Sequence, residues 1–145
     1  MAYTYKYPRP ALTVDAAVFR KTGTGFEILL IQRNNPPFEG GWALPGGFVD
    51  MDETLEDAII RELQEETSLT DVTLKQLHAF STPGRDPRGH TISVIFWGIQ
   101  DSNQEAMAGD DARNVKWYKI DHLPELSFDH DEVIKTAIQK INTNQ

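Results

Sequence analysis

Apolar and β-branched residues run from Ala11 to Phe19 with Asp15 as the only charge, which predicts a strand. Thr22-Gly23-Thr24-Gly25 has turn chemistry, and Ile28 to Ile31 predicts the returning strand of a hairpin. Asn34 to Gly41 is rich in Pro and Gly and predicts a loop. Trp42 to Gly47 reads as a short extended piece ending in a tight turn. The period then changes: Leu55, Ala58, Ile59 and Leu63 recur at helical spacing, with Thr54 as N-cap and Asp57 as its capping-box partner. Val72 to Phe80 and Thr91 to Ile99 predict strands around a Pro/Gly/Arg loop. Asp101 to Ala112 is a polar loop, Val115 to Ile120 a short strand, and Glu132 to Ile141 a closing helix with Asp129 or Asp131 near its start. Strands mixed with two long helices predict an α+β domain, a mixed β-sheet sandwiched between helices.

Composition narrows the functional classes. A chain of 145 residues suits one domain over 1–145, and neither a repeat nor a low-complexity tract interrupts it. No apolar run approaches the ~20 residues of a membrane span, and the first residues lack the apolar stretch of a secretory signal. With no cysteine, disulfides and thiolate zinc sites are excluded. These features set the expectation of a cytoplasmic protein with no membrane partner. The net charge of −8 leaves little for a basic face, so a nucleic-acid partner is not expected either. An anionic ligand would need locally placed arginines, backbone N–H groups or a bound cation.

The stretch Arg61-Glu62-Leu63-Gln64-Glu65-Glu66 answers part of that need. On a helix Glu62, Glu65 and Glu66 share one face. At ~100° per residue that face continues the stripe of Leu55, Ala58 and Ile59, so the carboxylates point towards the protein or a cleft. Two carboxylates ~5 Å apart repel by roughly 3 kcal/mol at an effective dielectric near 20. A solvated acidic face is the bland alternative. Three carboxylates beside a buried stripe call instead for a hard cation, and Mg²⁺ characteristically sits between carboxylates and substrate phosphates.

The run from Gly47 through Glu53 to Arg61-Glu62-Leu63-Gln64-Glu65-Glu66-Thr67-Ser68-Leu69 resembles the Nudix box, G-x5-E-x7-R-E-U-x-E-E-x-G-U with U a bulky apolar residue. Eight of nine specified positions match over 23 residues. Ser68 departs, standing where the family has Gly; it either carries φ > 0 at some cost or the helix ends differently. The resemblance implies the Nudix fold, with Glu62, Glu65 and Glu66 as metal-binding and catalytic carboxylates and the Gly47 carbonyl as a further ligand. Glu53 and Arg61 would be the supporting pair. Mg²⁺ is the implied cofactor, with Mn²⁺ as the alternative.

The loop Ser81 to His90 carries Arg85, Arg88 and His90 on a Gly/Pro-stiffened frame, which suits an anion because arginine offers a rigid donor fork. It resembles the loop of the ADP-ribose pyrophosphatase branch, as do Tyr7 to Asp15, Ala108 to Ala112 and Ser127 to His130. On that likeness Arg85, Arg88 and His90 would bind substrate. Asp111, with Asp110 and Glu105 behind it, would supply the extra acidic group such enzymes draw from this loop. His130 reads as structural, and Trp42, Phe19 and Trp97 are aromatics that either stack on a base or fill the core.

The implied reaction is metal-assisted hydrolysis of a small nucleotide substrate, ADP-ribose giving AMP and ribose 5-phosphate. Two rivals stand. One is a non-catalytic sensor of ADP-ribose or a related NAD metabolite, although the complete carboxylate triad and the few residues after the last predicted helix favour an enzyme. The other is a Nudix hydrolase of an oxidised nucleoside triphosphate, a dinucleoside polyphosphate or NADH. Relatives of this branch also make a homodimer an assembly to test.

Overall fold

A computed structural model describes residues 3–109 and 111–143. The strands are β1 (Ala11–Thr22), β2 (Gly25–Arg33), β3 (Trp42–Ala43), β4 (Gly46–Phe48), β5 (Lys75–Phe80), β6 (Thr91–Gln100) and β7 (Ala112–Lys119); the helices are α1 (Leu55–Thr67) and α2 (His130–Thr143). The expected elements are all present, with shifted ends. The strand expected from Val72 starts at Lys75, the strand before Ile120 starts at Ala112, and the last helix starts at His130.

The chain forms a seven-stranded mixed sheet whose main path runs β3-β2-β1-β6-β5. β1 is central and pairs in parallel with β6 along ten positions, Ala11↔Thr91 to Arg20↔Gln100. Its alternation builds two cores. Val14, Ala16 and Val18 pack with Ala58, Ile59 and Leu63 of α1, while Ala17 and Phe19 pack with Val133, Ile134 and Ala137 of α2. The sheet is therefore sandwiched between the helices, as its apolar runs require. Each fully buried side chain of this size contributes about 1.5–3 kcal/mol, enough to hold both helices against it.

Two local features place α1 and open a gap beside it. Thr54 caps α1 by accepting the Asp57 N–H at 3.0 Å, and Ser68 closes it in the left-handed conformation, φ 67°, with its N–H on Gln64 O. The polar loop then seals this end, as Met107 N–H and Gly109 N–H donate to the Thr67 and Glu66 carbonyls at 2.8 and 3.1 Å. Meanwhile β1 holds β2 only from Phe19 to Thr22, and its Thr13–Asp15 segment pairs with β4 instead. Where β2 leaves β1 the sheet opens, and side chains from both layers look into the gap.

Candidate active site

The gap is a cleft of about 480 Å³, lined by groups from both layers, within the usual range for a small-ligand site. One wall is the last two turns of α1. Glu62, Glu65 and Glu66 all line the cleft, though not alike. Glu66 is buried and Glu62 nearly so, whereas the Glu65 side chain is 58% exposed and stands at the rim.

Arg61 organises this wall. Its Nε and Nη2 donate to both Glu53 carboxylate oxygens at 2.8 and 2.9 Å, and Nη1 reaches Glu62 Oε1 at 2.8 Å and Glu65 Oε2 at 3.3 Å. The hydrogen bonds from Arg61 hold Glu53 down to about 2. Arg61 is itself raised, chiefly through Glu53. Glu53 and Arg61, the pair to which the resemblance assigns a supporting role, are thus joined by two hydrogen bonds. Gly47 completes the wall: a Cβ there would lie 2.6 Å from Glu62 Oε1, so a side chain at this position would have to displace the carboxylate that Arg61 holds.

Glu66 differs because, among the described residues, no arginine hydrogen-bonds to it. Its Oε1 accepts the Gly46 N–H at 2.6 Å, yet burial pushes its carboxyl up to about 8, helped by Glu62, Asp15 and Asp111. Burial also raises Glu62, against the opposing pull of Arg61. These oxygens form a hard donor set short of positive charge, which fits a divalent cation. Among the described residues no three acidic or imidazole side chains already converge on one point. A cation held here would share its oxygens with a ligand, the common Mg²⁺ arrangement. Asp111 lines the same cleft and is exposed. Glu105 is exposed and lies outside the lining, and Asp110 lies outside the described residues.

The opposite wall comes from the Ser81–His90 loop and the start of α2. The Arg85 side chain is only 4% exposed; its Nε and Nη2 grip both Asp129 oxygens at 2.9 and 2.6 Å, and Nη1 donates to Ser93 Oγ at 2.6 Å. Arg88 is more open and pairs with Asp86 at 2.9 and 3.1 Å. His90 is exposed, bonds the Ser81 carbonyl at 3.0 Å and lies outside the cleft lining. The structure therefore brings Arg85 and Arg88 to the cleft and leaves His90 at its margin.

Several lining groups escaped the sequence reading. Arg33 rests over the Phe128 ring at 5.0 Å, and Arg88 stands 4.8 Å from the Phe48 ring centroid and 5.6 Å from that of Phe128. Phe128 itself has φ 55°. Asp15, the lone acid of β1, lies on the floor, where burial raises it to about 7 against the pull of Arg85. A single acid in an apolar strand was the available signal. His130 is buried, its Nδ1 accepting the Leu44 N–H at 3.0 Å, and it too lines the cleft floor. Phe19 is core, Trp97 packs against that core, and Trp42 makes an edge contact with Tyr118 at 5.1 Å, so none of the three lines the cleft.

A mixed sheet between two helices, with a carboxylate-walled cleft beside a glutamate helix, is the architecture of the Nudix-type pyrophosphohydrolases. The NUDIX domain family model matches residues 9–137, and the chain belongs to that family. Within it the chain falls in the ADP-ribose pyrophosphatase-like branch. It is 44% identical over 129 residues to an ADP-ribose pyrophosphatase of Methanocaldococcus jannaschii, covering 89% of this chain and 73% of that protein. It is also 33% identical over 140 residues to the ADPR responsive transcriptional repressor NtrR of Acinetobacter baylyi, covering 94% of this chain but only 56% of the repressor. Among solved structures, the NUDIX domain of Shewanella oneidensis NrtR, complexed with ADP ribose, superposes with TM-score 0.86 at 34% identity, covering 96% of this chain and 94% of that one. Nudix hydrolases generally use a divalent metal, and among the described residues no helix is long and apolar enough to cross a membrane.

Proposed function

We propose that this chain hydrolyses the diphosphate link of ADP-ribose to AMP and ribose 5-phosphate with Mg²⁺ bound. The observation that carries the reading is the α1 wall: three glutamates on a cleft, one of them buried without a cationic partner, facing a wall that carries Arg33 and Arg88. The similarity to a protein named ADP-ribose pyrophosphatase and to an NrtR domain complexed with ADP ribose supports the substrate.

When bound by Glu62, Glu65, Glu66 and the Gly47 carbonyl, the cation supplies charge neutralisation for the diphosphate and for charge developing on phosphorus. Arg61 keeps Glu62 and Glu65 aimed at the cleft, and Gly46 N–H fixes Glu66. Glu66 takes a proton from the attacking water, with Asp111 as the second candidate. Arg88 steers a phosphate oxygen through its free donors. Water adds to one phosphorus, the bridging P–O bond breaks, and the other phosphate leaves.

The likeness to an ADPR responsive repressor favours one other reading, a domain that binds ADP-ribose without cleaving it. Steady-state kinetics with ADP-ribose, an oxidised nucleoside triphosphate, a dinucleoside polyphosphate and NADH separates the readings. The highest kcat/KM is expected for ADP-ribose. A higher value for any other substrate would overturn the assignment, and tight binding of ADP-ribose without turnover would establish the sensor.

A further inference from the structure

Asp15 and His130 face each other on the cleft floor, and the proposed hydrolysis uses neither. Because His130 Nδ1 accepts the Leu44 N–H, the proton of the ring sits on Nε2. That nitrogen lies 4.0 Å from Asp15 Oδ2, outside hydrogen-bond reach. Asp15 is 8% exposed, and no donor among the described residues reaches its carboxyl. Its oxygens are not sealed, since no fully enclosed side-chain oxygen of the described residues lacks a partner. Gly46 keeps them open: a Cβ there would lie 2.2 Å from Asp15 Oδ1.

The floor thus presents one fixed donor and one acceptor, too far apart for each other and close enough to share a third group. A phosphate oxygen is repelled by the Asp15 carboxylate and could accept only from its protonated form. A hydroxyl donates to Asp15 and accepts from His130 at once. Nearby hydroxyls are engaged, as Thr13 and Ser93 bond each other and Ser93 also takes Arg85 Nη1. At the rim, by contrast, Phe48 is 42% exposed, with Arg88 4.8 Å from its ring centroid, and gives a base an open apolar surface to rest on. With the base at the rim, the sugar beyond the diphosphate is the one that reaches the floor.

We propose that Asp15 and His130 form a hydroxyl-reading subsite for the pentose on the far side of the diphosphate from the nucleoside, which makes Asp15 a specificity-determining residue. The inference rests on the proposed substrate, and its test is separable from that of hydrolysis. Calorimetric titration in EDTA, where turnover stops, compares ADP-ribose with the P-methyl ester of ADP, which keeps the nucleoside and diphosphate but lacks the second pentose. The wild type is expected to prefer ADP-ribose by about tenfold or more, since a site built for a hydroxyl penalises its absence. Asp15→Asn should lose most of that preference and hold the methyl ester within about twofold. Equal binding of both ligands by the wild type would overturn the subsite whether or not the variant folds. Parallel weakening of both ligands in the variant would also overturn it, placing Asp15 on the diphosphate or the nucleoside. A chain that shows the Asp15-dependent preference yet cleaves no ADP-ribose with Mg²⁺ would keep the subsite and refute the hydrolase assignment.

Discussion

The two walls of the cleft both gather charge away from water, and they balance it in opposite ways. On the α2 side each loop arginine has its own acid, Arg85 with Asp129 and Arg88 with Asp86. On the α1 side Glu53, Glu62, Glu65 and, at 3.5 Å, Asp50 share the Arg61 guanidinium, and Glu66 receives only a backbone N–H. The first wall is complete as a protein structure and fixes shape. The second is short of positive charge, and in the proposed function a cation and a phosphate-bearing ligand fill that deficit. Removing a group from one wall should therefore cost mainly turnover, and from the other mainly stability or affinity.

The largest expected effect is on the deficient wall. Glu66→Gln keeps shape and the Gly46 contact but removes the charge, and kcat should fall by about a thousandfold or more. Melting temperature without metal should not fall, because a neutral side chain replaces one that burial already disfavours as an anion. Steady-state kinetics with a thermal melt checks both halves; near-normal turnover would refute the role.

The satisfied wall should behave differently. Arg85→Ala strands the Asp129 carboxylate and should lower unfolding free energy by about 3–5 kcal/mol, read by urea denaturation. Arg88→Ala breaks a more exposed pair and should change stability by under about 1 kcal/mol while raising KM about tenfold. If the two arginines traded effects, the division between a positioning and a binding arginine would be wrong.

A pH series separates the walls again. Asp15, with folded pKa about 7 against 3.8, and Glu66, about 8 against 4.5, bind more protons folded than unfolded, so their stabilisation is lost as pH rises through those folded values. His130, lowered by burial to about 4 from 6.5, acts oppositely, with stability lost as pH falls from 6.5 through 4. Above pH 6.5 only the carboxylates act among these three, so the metal-free protein should lose stability between pH 6.5 and 8.5. Thermal melts in EDTA should show this slope flattened in Glu66→Gln and in Asp15→Asn. An unchanged slope in both would contradict the raised acidities of the two buried carboxyls.

The smallest effect is at Ser68, which holds φ 67° at the helix end. Ser68→Gly should leave activity unchanged and raise stability by at most about 1 kcal/mol, offset in part by the lost 3.4 Å contact from Ser68 Oγ to Met107 O. A tenfold loss of activity would show that the hydroxyl does more than end the helix.

The same contrast explains what was legible in the sequence. The α1 wall is local: Glu53, Arg61 and the three glutamates lie within one short segment, so helical periodicity alone placed the carboxylates together. Even there the sequence did not separate exposed Glu65 from buried Glu66, because that depends on β4 and the Met107–Gly109 loop packing over the helix. The α2 wall joins residues far apart in the chain. Arg85 meets Asp129 across 44 positions, and Leu44 meets His130 across 86. No spacing rule reveals such contacts, so the sequence reading placed Arg85 among the substrate binders without its Asp129 partner and gave Asp15 no role beyond the one charge of a strand. The sheet-between-helices arrangement was readable because β1 alternates faithfully between its two cores.

The most direct test of the proposed activity is hydrolysis of ADP-ribose by the purified chain with Mg²⁺, following products by chromatography, with EDTA and Glu66→Gln as controls. AMP and ribose 5-phosphate are expected in equal amounts, abolished by EDTA and reduced by orders of magnitude in the variant. Undiminished product in EDTA or in Glu66→Gln, or no product from the wild type, would contradict the cation-bearing glutamate wall as the seat of the chemistry.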